Sequence, residues 1–326
     1  MTNPVVINEP GAIGMDAPAS DDRTRDGAAR ADSAPPLEPV EFVRRSLWKR
    51  FKAVSAHEAN LHGEESAEAL HDMRVATRRL RAALRVFRQF LPEKLARRCE
   101  RRVRKLTRGL GSTREWDVHA ESLARIHAAT IRVPELAAIE HVLELIDARR
   151  GQERVEMMQA VGGCDLHGLG RQIRDLTRRA EIAQSHNARV MVQEALSPMV
   201  RTAFDDTSRL REREVAEELH AQRIAVKRLR YAVELLEPMI AGGAARLMAR
   251  LKHLQELLGK HHDLVLLEEL LARVLTRLTD HGRRTLAEGL VGPIDRLRVE
   301  RRECFDDYFR ATDDISTNSV WEELGI

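Results

Sequence analysis

Aromatic residues and cysteine are scarce in this chain of 326 residues. Phenylalanine, tryptophan and tyrosine together make up 4% of the sequence, which argues against a nucleic-acid interface built on base stacking. The three cysteines, Cys99, Cys164 and Cys304, are odd in number and far apart, so they fit neither a disulfide framework nor a zinc site. We therefore expect reduced thiols and no metal ion.

Long apolar runs are missing as well. No stretch approaches the ~20 apolar residues that a membrane-spanning helix needs, and the Val5–Ile7 patch is too short and lacks the basic start of a signal peptide. These absences predict a cytoplasmic protein without a membrane partner.

Alternation of the β type is absent, whereas apolar residues recur at helical spacing from Pro39 onward. The pattern predicts an all-α fold. The candidate helices are 40–62, 65–91, 93–110, 114–129, 134–160, 166–181, 187–211, 214–238, 244–258, 262–279 and 283–311. Residues 1–38 are rich in Pro, Gly, Ala, Ser and Asp without periodicity, which predicts a disordered acidic tail. Residues 312–326 are interpreted as a C-terminal tail.

An internal repeat organises the helical region. Placing His71 over His220 aligns Arg74 with Arg223, Arg78 with Lys227, Arg79 with Arg228 and Arg81 with Arg230. A shift of one residue then aligns Arg104 with Lys252, and Leu110-Gly111 with Leu258-Gly259. We expect two half-repeats, about 40–160 and 187–311, folded as similar helical bundles with an approximate internal twofold relation.

Positive charge is concentrated in the first repeat. The stretch from His71 to Arg108 contains fourteen Lys and Arg residues against three acids, although the whole chain carries a net charge of only +3. On a helical wheel, one arc of about 80° collects four arginines opposite an apolar face; these are Arg74, Arg78, Arg81 and Arg85. Like charges at this spacing repel one another, so the stripe favours a polyanionic partner.

The second copy of the stripe is shorter. His220, Arg223, Lys227 and Arg230 repeat the first three turns, but Glu234 stands where the first copy has Arg85. We therefore expect weaker binding at that end of the second helix.

Other repeated residues suggest supporting roles. Arg79 and Arg228 point toward the apolar arc, where a buried ion pair with a carboxylate is expected. At Gly111 and Gly259, glycine is predicted to end one helix before a polar residue begins the next. The polar residues that follow either cap those helices or orient the arginines; they are Arg114, Glu115, Asp117, His262 and Asp263.

These motifs resemble a known family. The motifs that carry the resemblance are the run His71-x-x-Arg74-x-x-x-Arg78-Arg79-Leu80-Arg81, the later Leu110-Gly111-x-x-Arg114-Glu115-x-Asp117, and their counterparts in the second half. Through them, residues 39–311 resemble the CHAD domain, the conserved histidine α-helical domain. The resemblance implies two pseudo-symmetric antiparallel four-helix bundles around a basic groove or cavity. It also implies non-catalytic binding of inorganic polyphosphate without a cofactor, with association with polyphosphate granules as a further expectation. Residues 1–39 could not hold the CYTH-type triphosphatase often fused to such domains, so a stand-alone domain is expected.

The expected polyphosphate contacts are His71, Arg74, Arg78, Arg81, Arg85, Arg104, His220, Arg223, Lys227, Arg230 and Lys252. Two other functions stay open. The basic helices could follow an RNA or DNA backbone without reading its sequence. His71-Asp72 and His262-Asp263 superficially resemble metal-dependent phosphohydrolase motifs, although a cationic stripe would repel a divalent ion.

Overall fold

Apolar residues three and four positions apart explain why the chain is helical. In the segment 216–236, for example, Leu219, Val226, Leu229 and Val233 are all buried, and they share one side of the helix. The computed structural model describes residues 38–58, 66–110, 112–181, 187–205, 207–240 and 243–326. The predicted tail 1–38 therefore lies outside the described residues, except for Glu38.

Twelve α-helices occupy these described ranges, which contain no strand, so the predicted all-α class is confirmed. In chain order they are α1 (Pro39–Glu58), α2 (Ser66–Val86), α3 (Glu93–Gly109), α4 (Ser112–Ala128), α5 (Val133–Gly162), α6 (Leu166–Arg178), α7 (Ala188–Phe204), α8 (Thr207–Glu212), α9 (Ala216–Leu236), α10 (Ala245–Asp280), α11 (Arg284–Thr312) and α12 (Thr317–Leu324). The repeat is visible in α2 and α9, since each has 21 residues and leads into a short 3₁₀ turn.

The second repeat departs from the first at Gly259. The sequence predicts a helix end there, but α10 continues through this glycine for 36 residues, so that prediction is wrong. Leu254, Leu258, His261 and Leu264 are buried along one side of α10. A glycine inside a helix costs only about 1 kcal/mol, which is less than the burial of even one leucine contributes.

Within the described ranges, buried side chains form two hydrophobic cores. The larger core draws on α1, α2, α3, α6, α7, α9, the first half of α10, the end of α11 and α12. The smaller core joins the α4–α5 pair to the second half of α10 and most of α11. Each core contains residues of both half-repeats, so burial does not divide at the repeat boundary. The pseudo-twofold symmetry stays a prediction.

The C-terminal segment belongs to the larger core. Ser316 and Ser319 form a reciprocal capping box that begins α12. Val320 and Leu324 are buried, and Arg250 of α10 forms an ion pair with Glu323. The structure thus shows a packed helix within the segment 312–326, which the sequence marked only as a tail.

Candidate functional site

A cleft of about 700 Å³ lies where α2 and α9 face α4 and α10. Four predicted contact residues line it: Arg74 and Arg78 from α2, and Arg223 and Lys227 from α9. Each helix places its pair here because the residues on its opposite side are buried in the larger core. Met73, Leu80 and Leu84 fix α2 in this orientation, and the corresponding leucines and valines fix α9.

The pKa of Lys227 indicates the sign of the charge around it in the cleft. Burial first, and then the positive charges of Arg223, Arg78, Arg74 and Arg228, lower the pKa of Lys227 to about 8. The charges that act most strongly on this ammonium group are thus positive. The α2 and α9 wall therefore forms a positive field in which an anion is favoured.

The opposite wall carries charges of both signs. Arg125 and Lys260 line it together with four carboxylates, those of Glu115, Glu121, Glu256 and Asp263. Lys260 forms an ion pair of 2.7 Å with Glu300. Arg125 and Lys260 were not predicted, because Arg125 lies outside the repeated motifs and Lys260 has no cation at the equivalent position, Ser112, of the first repeat.

A second cleft, of about 860 Å³, adjoins the first at Arg74 and Val118, which line both. His71 and Asp117 lie here, together with Arg150 and Arg154 of α5. Asp117 forms an ion pair of 2.8 Å with Arg150 and does not pair with the arginine stripe. Arg150 and Arg154 were not predicted; their spacing of four residues on an otherwise mixed helix gave no pattern that singles them out.

His220 and His262 face each other at the α9–α10 contact. Their ring centroids are 4.4 Å apart, and the two Nδ1 atoms are separated by 3.3 Å. Burial, followed by the charge of Arg223, lowers the pKa of His262 to about 4. Burial also lowers the pKa of His220, as do Arg223 and Lys227. His262 was predicted to cap a helix or to orient an arginine, but it lines the first cleft itself from within α10.

The other two arginines of the first stripe belong to a separate group, which also includes one cation of α3 and one of α9. Arg81, Arg85, Arg104 and Arg228 act on one another electrostatically, and Glu100 is the acid among them. Burial and the charge of Arg85 lower the pKa of Arg81, whose buried Nε has no hydrogen-bond partner among the described residues. Arg85 forms an ion pair of 2.8 Å with Glu100. None of these side chains lines either cleft, so the predicted row of four arginines is divided between two places.

Arg79 and Arg228 were predicted to form buried ion pairs. Arg79 does pair with a carboxylate, that of Glu234 at 2.8 Å, but its side chain is 49% exposed. Arg228 is exposed and forms no ion pair with the described residues, so the prediction is wrong for it. The asymmetry at Glu234 explains the difference. The equivalent position in the first repeat holds Arg85, which repels Arg228 where Glu234 attracts Arg79.

Three further predicted contact residues lie outside the two clefts. Arg230 donates a hydrogen bond to Gln255 and stacks over the ring of Tyr231. Lys252 is exposed beside Glu256, with 3.8 Å between the charged atoms. His220 does not line the first cleft, but its ring contacts that of His262, which does. The side chain of Arg114 lies outside the described residues.

The described part of the chain contains no metal-binding cluster, no membrane-spanning helix and no disulfide. Its side chains include no cluster of three or more His, Cys, Asp or Glu that could hold a metal ion. None of its helices is long and apolar enough to cross a membrane. The three cysteines form no disulfide, and burial raises the pKa of Cys99 to about 11.

Fold and site together define an all-α protein with a cation-lined cleft between repeated helices. Residues 45–272 match the CHAD domain family, and the chain belongs to that family. Among solved structures, it is similar to the CHAD domain from the plant Ricinus communis, with a TM-score of 0.61, 22% identity, and coverage of 88% of this chain and 91% of that one. PptA from Streptomyces chartreusis has a TM-score of 0.61 and 16% identity, with coverage of 83% and 99%. No curated protein matches the sequence.

Proposed function

We propose that the first cleft binds inorganic polyphosphate and that the protein does so without catalysis. The observation that carries the proposal is the convergence of Arg74, Arg78, Arg223 and Lys227 from two repeated helices on one cleft. The charges that act most strongly on Lys227 are those of neighbouring arginines, which supports the binding of an anion in this cleft. Membership of the CHAD family is consistent with a role related to polyphosphate.

The chemistry of the cleft suits a chain of phosphates. Three of the four central cations are arginines, which hold phosphate oxygens in a bidentate manner and keep their charge at any physiological pH. An arrangement of fixed cations can bind a repeating anion in many registers, whereas base recognition needs specific donors and acceptors. The same binding would place the protein on polyphosphate granules in cells that contain them.

Charge reversal in the cleft tests this proposal. The double variant Arg78→Glu, Lys227→Glu should lose retention on immobilised long-chain polyphosphate, because two attractive contacts become repulsive. The matched control is Arg189→Glu, Arg284→Glu, which makes the same change in net charge at exposed positions. Both control residues lie in the first turn of a helix, where an acid is favoured by the helix dipole. Retention of a folded cleft variant at the level of the control would refute the proposal.

Competition distinguishes polyphosphate from a nucleic-acid backbone. Single-stranded RNA and polyphosphate are offered at equal phosphate concentration, and the proposal expects polyphosphate to displace RNA. If RNA instead displaces polyphosphate, the protein is a nucleic-acid-binding protein. Release of orthophosphate from polyphosphate by the wild type, lost in His71→Ala, would show catalysis.

A further inference from the structure

We propose that the exposed side of α3 binds the part of a long polyphosphate chain that extends out of the first cleft, so that the protein favours long chains over short ones. The inference rests on the proposed function of the cleft and adds a second contact surface to it. We call this surface the α3 face; it consists of Lys94, Arg98, Arg101, Arg104, Lys105 and Arg108.

The α3 face is cationic without interruption. With Arg101 at its centre, every position of α3 from 94 to 108 that falls within about 60° on either side is lysine or arginine. All of these side chains are exposed, because the opposite side of α3 is buried in the larger core. Arg97 also lies on this arc and forms an ion pair of 2.5 Å with Glu93. The residues of the α3 face themselves form no ion pair with the described residues.

Such a surface is unfavourable in the empty protein. Like charges three and four residues apart on a helix repel one another by a few tenths of a kcal/mol per pair. The chain contains 51 acidic residues, and none of them lies on this arc to relieve the repulsion. A bound polyanion relieves all of these repulsions at once, so the α3 face favours an anionic partner.

The α3 face is not part of the repeated motif. In the alignment that pairs Arg104 with Lys252, Arg101 corresponds to Ala249 and Arg108 corresponds to Glu256. Most of the α3 face therefore has no cationic counterpart in α10. None of its residues lines either cleft.

The first cleft and the α3 face are connected by further cations. Arg81 lies one turn beyond the cleft residue Arg78 on α2, which packs against α3. The positive charge of Arg104 acts on Arg81, so the two helices bring their cations close together here. From Lys94 to Arg108 the α3 face then extends about 21 Å along the helix axis. A chain that leaves the cleft along α2 thus meets positive charge continuously.

A flexible chain of phosphates suits this surface better than other polyanions do. The described residues of α3 include no exposed large apolar side chain that could enter a membrane, and α3 has no aromatic residue on which a base could stack. Exposed cations bind weakly on their own, because water and salt screen them. They contribute once the cleft holds the chain and raises its local concentration. A short chain contacts only the cations of the cleft.

The affinities of the full chain for tripolyphosphate and for long-chain inorganic polyphosphate test this inference. The variant Arg98→Gln, Arg101→Gln, Lys105→Gln removes three exposed cations that form no hydrogen bond or ion pair with the described residues. Its affinity for the long chain should fall at least about tenfold, because phosphate contacts are lost, whereas its affinity for tripolyphosphate should stay within about twofold of the wild type.

The matched control is Arg201→Gln, Arg277→Gln, Arg284→Gln. It makes the same change in net charge at exposed positions outside both clefts. The control should bind both probes like the wild type, which separates contact at the α3 face from a general loss of positive charge.

The outcomes separate this inference from the proposed function. Unchanged affinity of the α3 variant for the long chain, or an equal loss for both probes, would overturn the α3 face alone. Absence of binding of either probe to the wild type would overturn both. A loss of affinity for single-stranded RNA with unchanged affinity for polyphosphate would assign the face to nucleic acid and refute the inference.

A single substitution decides the question if the triple variant does not fold. Arg101→Gln should reduce the salt dependence of long-chain binding by about 0.7 in the slope of log affinity against log salt concentration. The slope for tripolyphosphate should stay the same. An unchanged slope for the long chain refutes the inference.

Discussion

Lys227 is the cleft cation whose charge depends on pH near neutrality. Its pKa of about 8 follows from burial and from the neighbouring arginines, which keep their own charge. Below that pH the ammonium group is already charged in the empty protein. Above it the group loses its proton, and a bound polyanion must restore it.

We therefore expect the affinity for polyphosphate to fall as the pH rises above about 8. The fall should approach about tenfold per pH unit for one proton taken up on binding. Lys227→Arg should flatten this dependence, because the guanidinium group stays charged. Lys252→Arg is the control, since Lys252 is exposed and lies outside the cleft. Equal slopes for the wild type and Lys227→Arg would show that Lys227 does not contact the ligand.

The pair Arg79–Glu234 shows how one residue can change the role of another. Glu234 interrupts the second stripe in the sequence, which predicts weaker binding at that end. In the structure it binds Arg79 of the other repeat, at 2.8 Å, and also lies 3.5 Å from Arg230. Its effect is thus to join α2 to α9, a role that no inspection of the second stripe alone could reveal.

At the scale of helices, α10 differs most from the sequence prediction. Gly259 lies in its interior, and a Cβ atom built there would meet no atom within 4 Å. Gly289 of α11 is a contrasting case. A Cβ atom there would clash with the carbonyl oxygen of Pro134 and lie 2.8 Å from the Cβ of Ala138, because α5 and α11 pack closely at this point.

Alanine substitutions at these two glycines should have opposite effects on stability. Gly259→Ala should raise the free energy of unfolding by about 0.5–1 kcal/mol, because alanine is the better helix former and has room. Gly289→Ala should lower it by about 1–3 kcal/mol through overpacking. Urea denaturation measures both. A loss of stability in Gly259→Ala would contradict a continuous α10.

At the scale of the molecule, binding should be dominated by release of counterions. Four central cations contact the polyanion in the proposed complex. The logarithm of affinity should then fall with the logarithm of salt concentration with a slope of about −3, if each contact contributes as in single-stranded nucleic acid. Arg78→Gln should reduce the magnitude of this slope by about 0.7. Arg189→Gln should leave it unchanged, because Arg189 lies outside the cleft. A slope near zero would exclude an electrostatic mode of binding.

The sequence by itself determined the helical class, the repeated motifs and the concentration of positive charge on the repeated helices. These depend on local periodicity and on which residue types recur, and Arg74, Arg78, Arg223 and Lys227 were identified in this way. A helical wheel gives the direction of a side chain around its own axis, but not the helix that it meets. Only the tertiary structure separated Arg81 and Arg85 from the cleft, because that division depends on how α3 and α9 pack against α2 and on where α4 and α10 lie across the cleft. The same packing brought His262 against His220, across 42 residues of sequence, which no local pattern specifies.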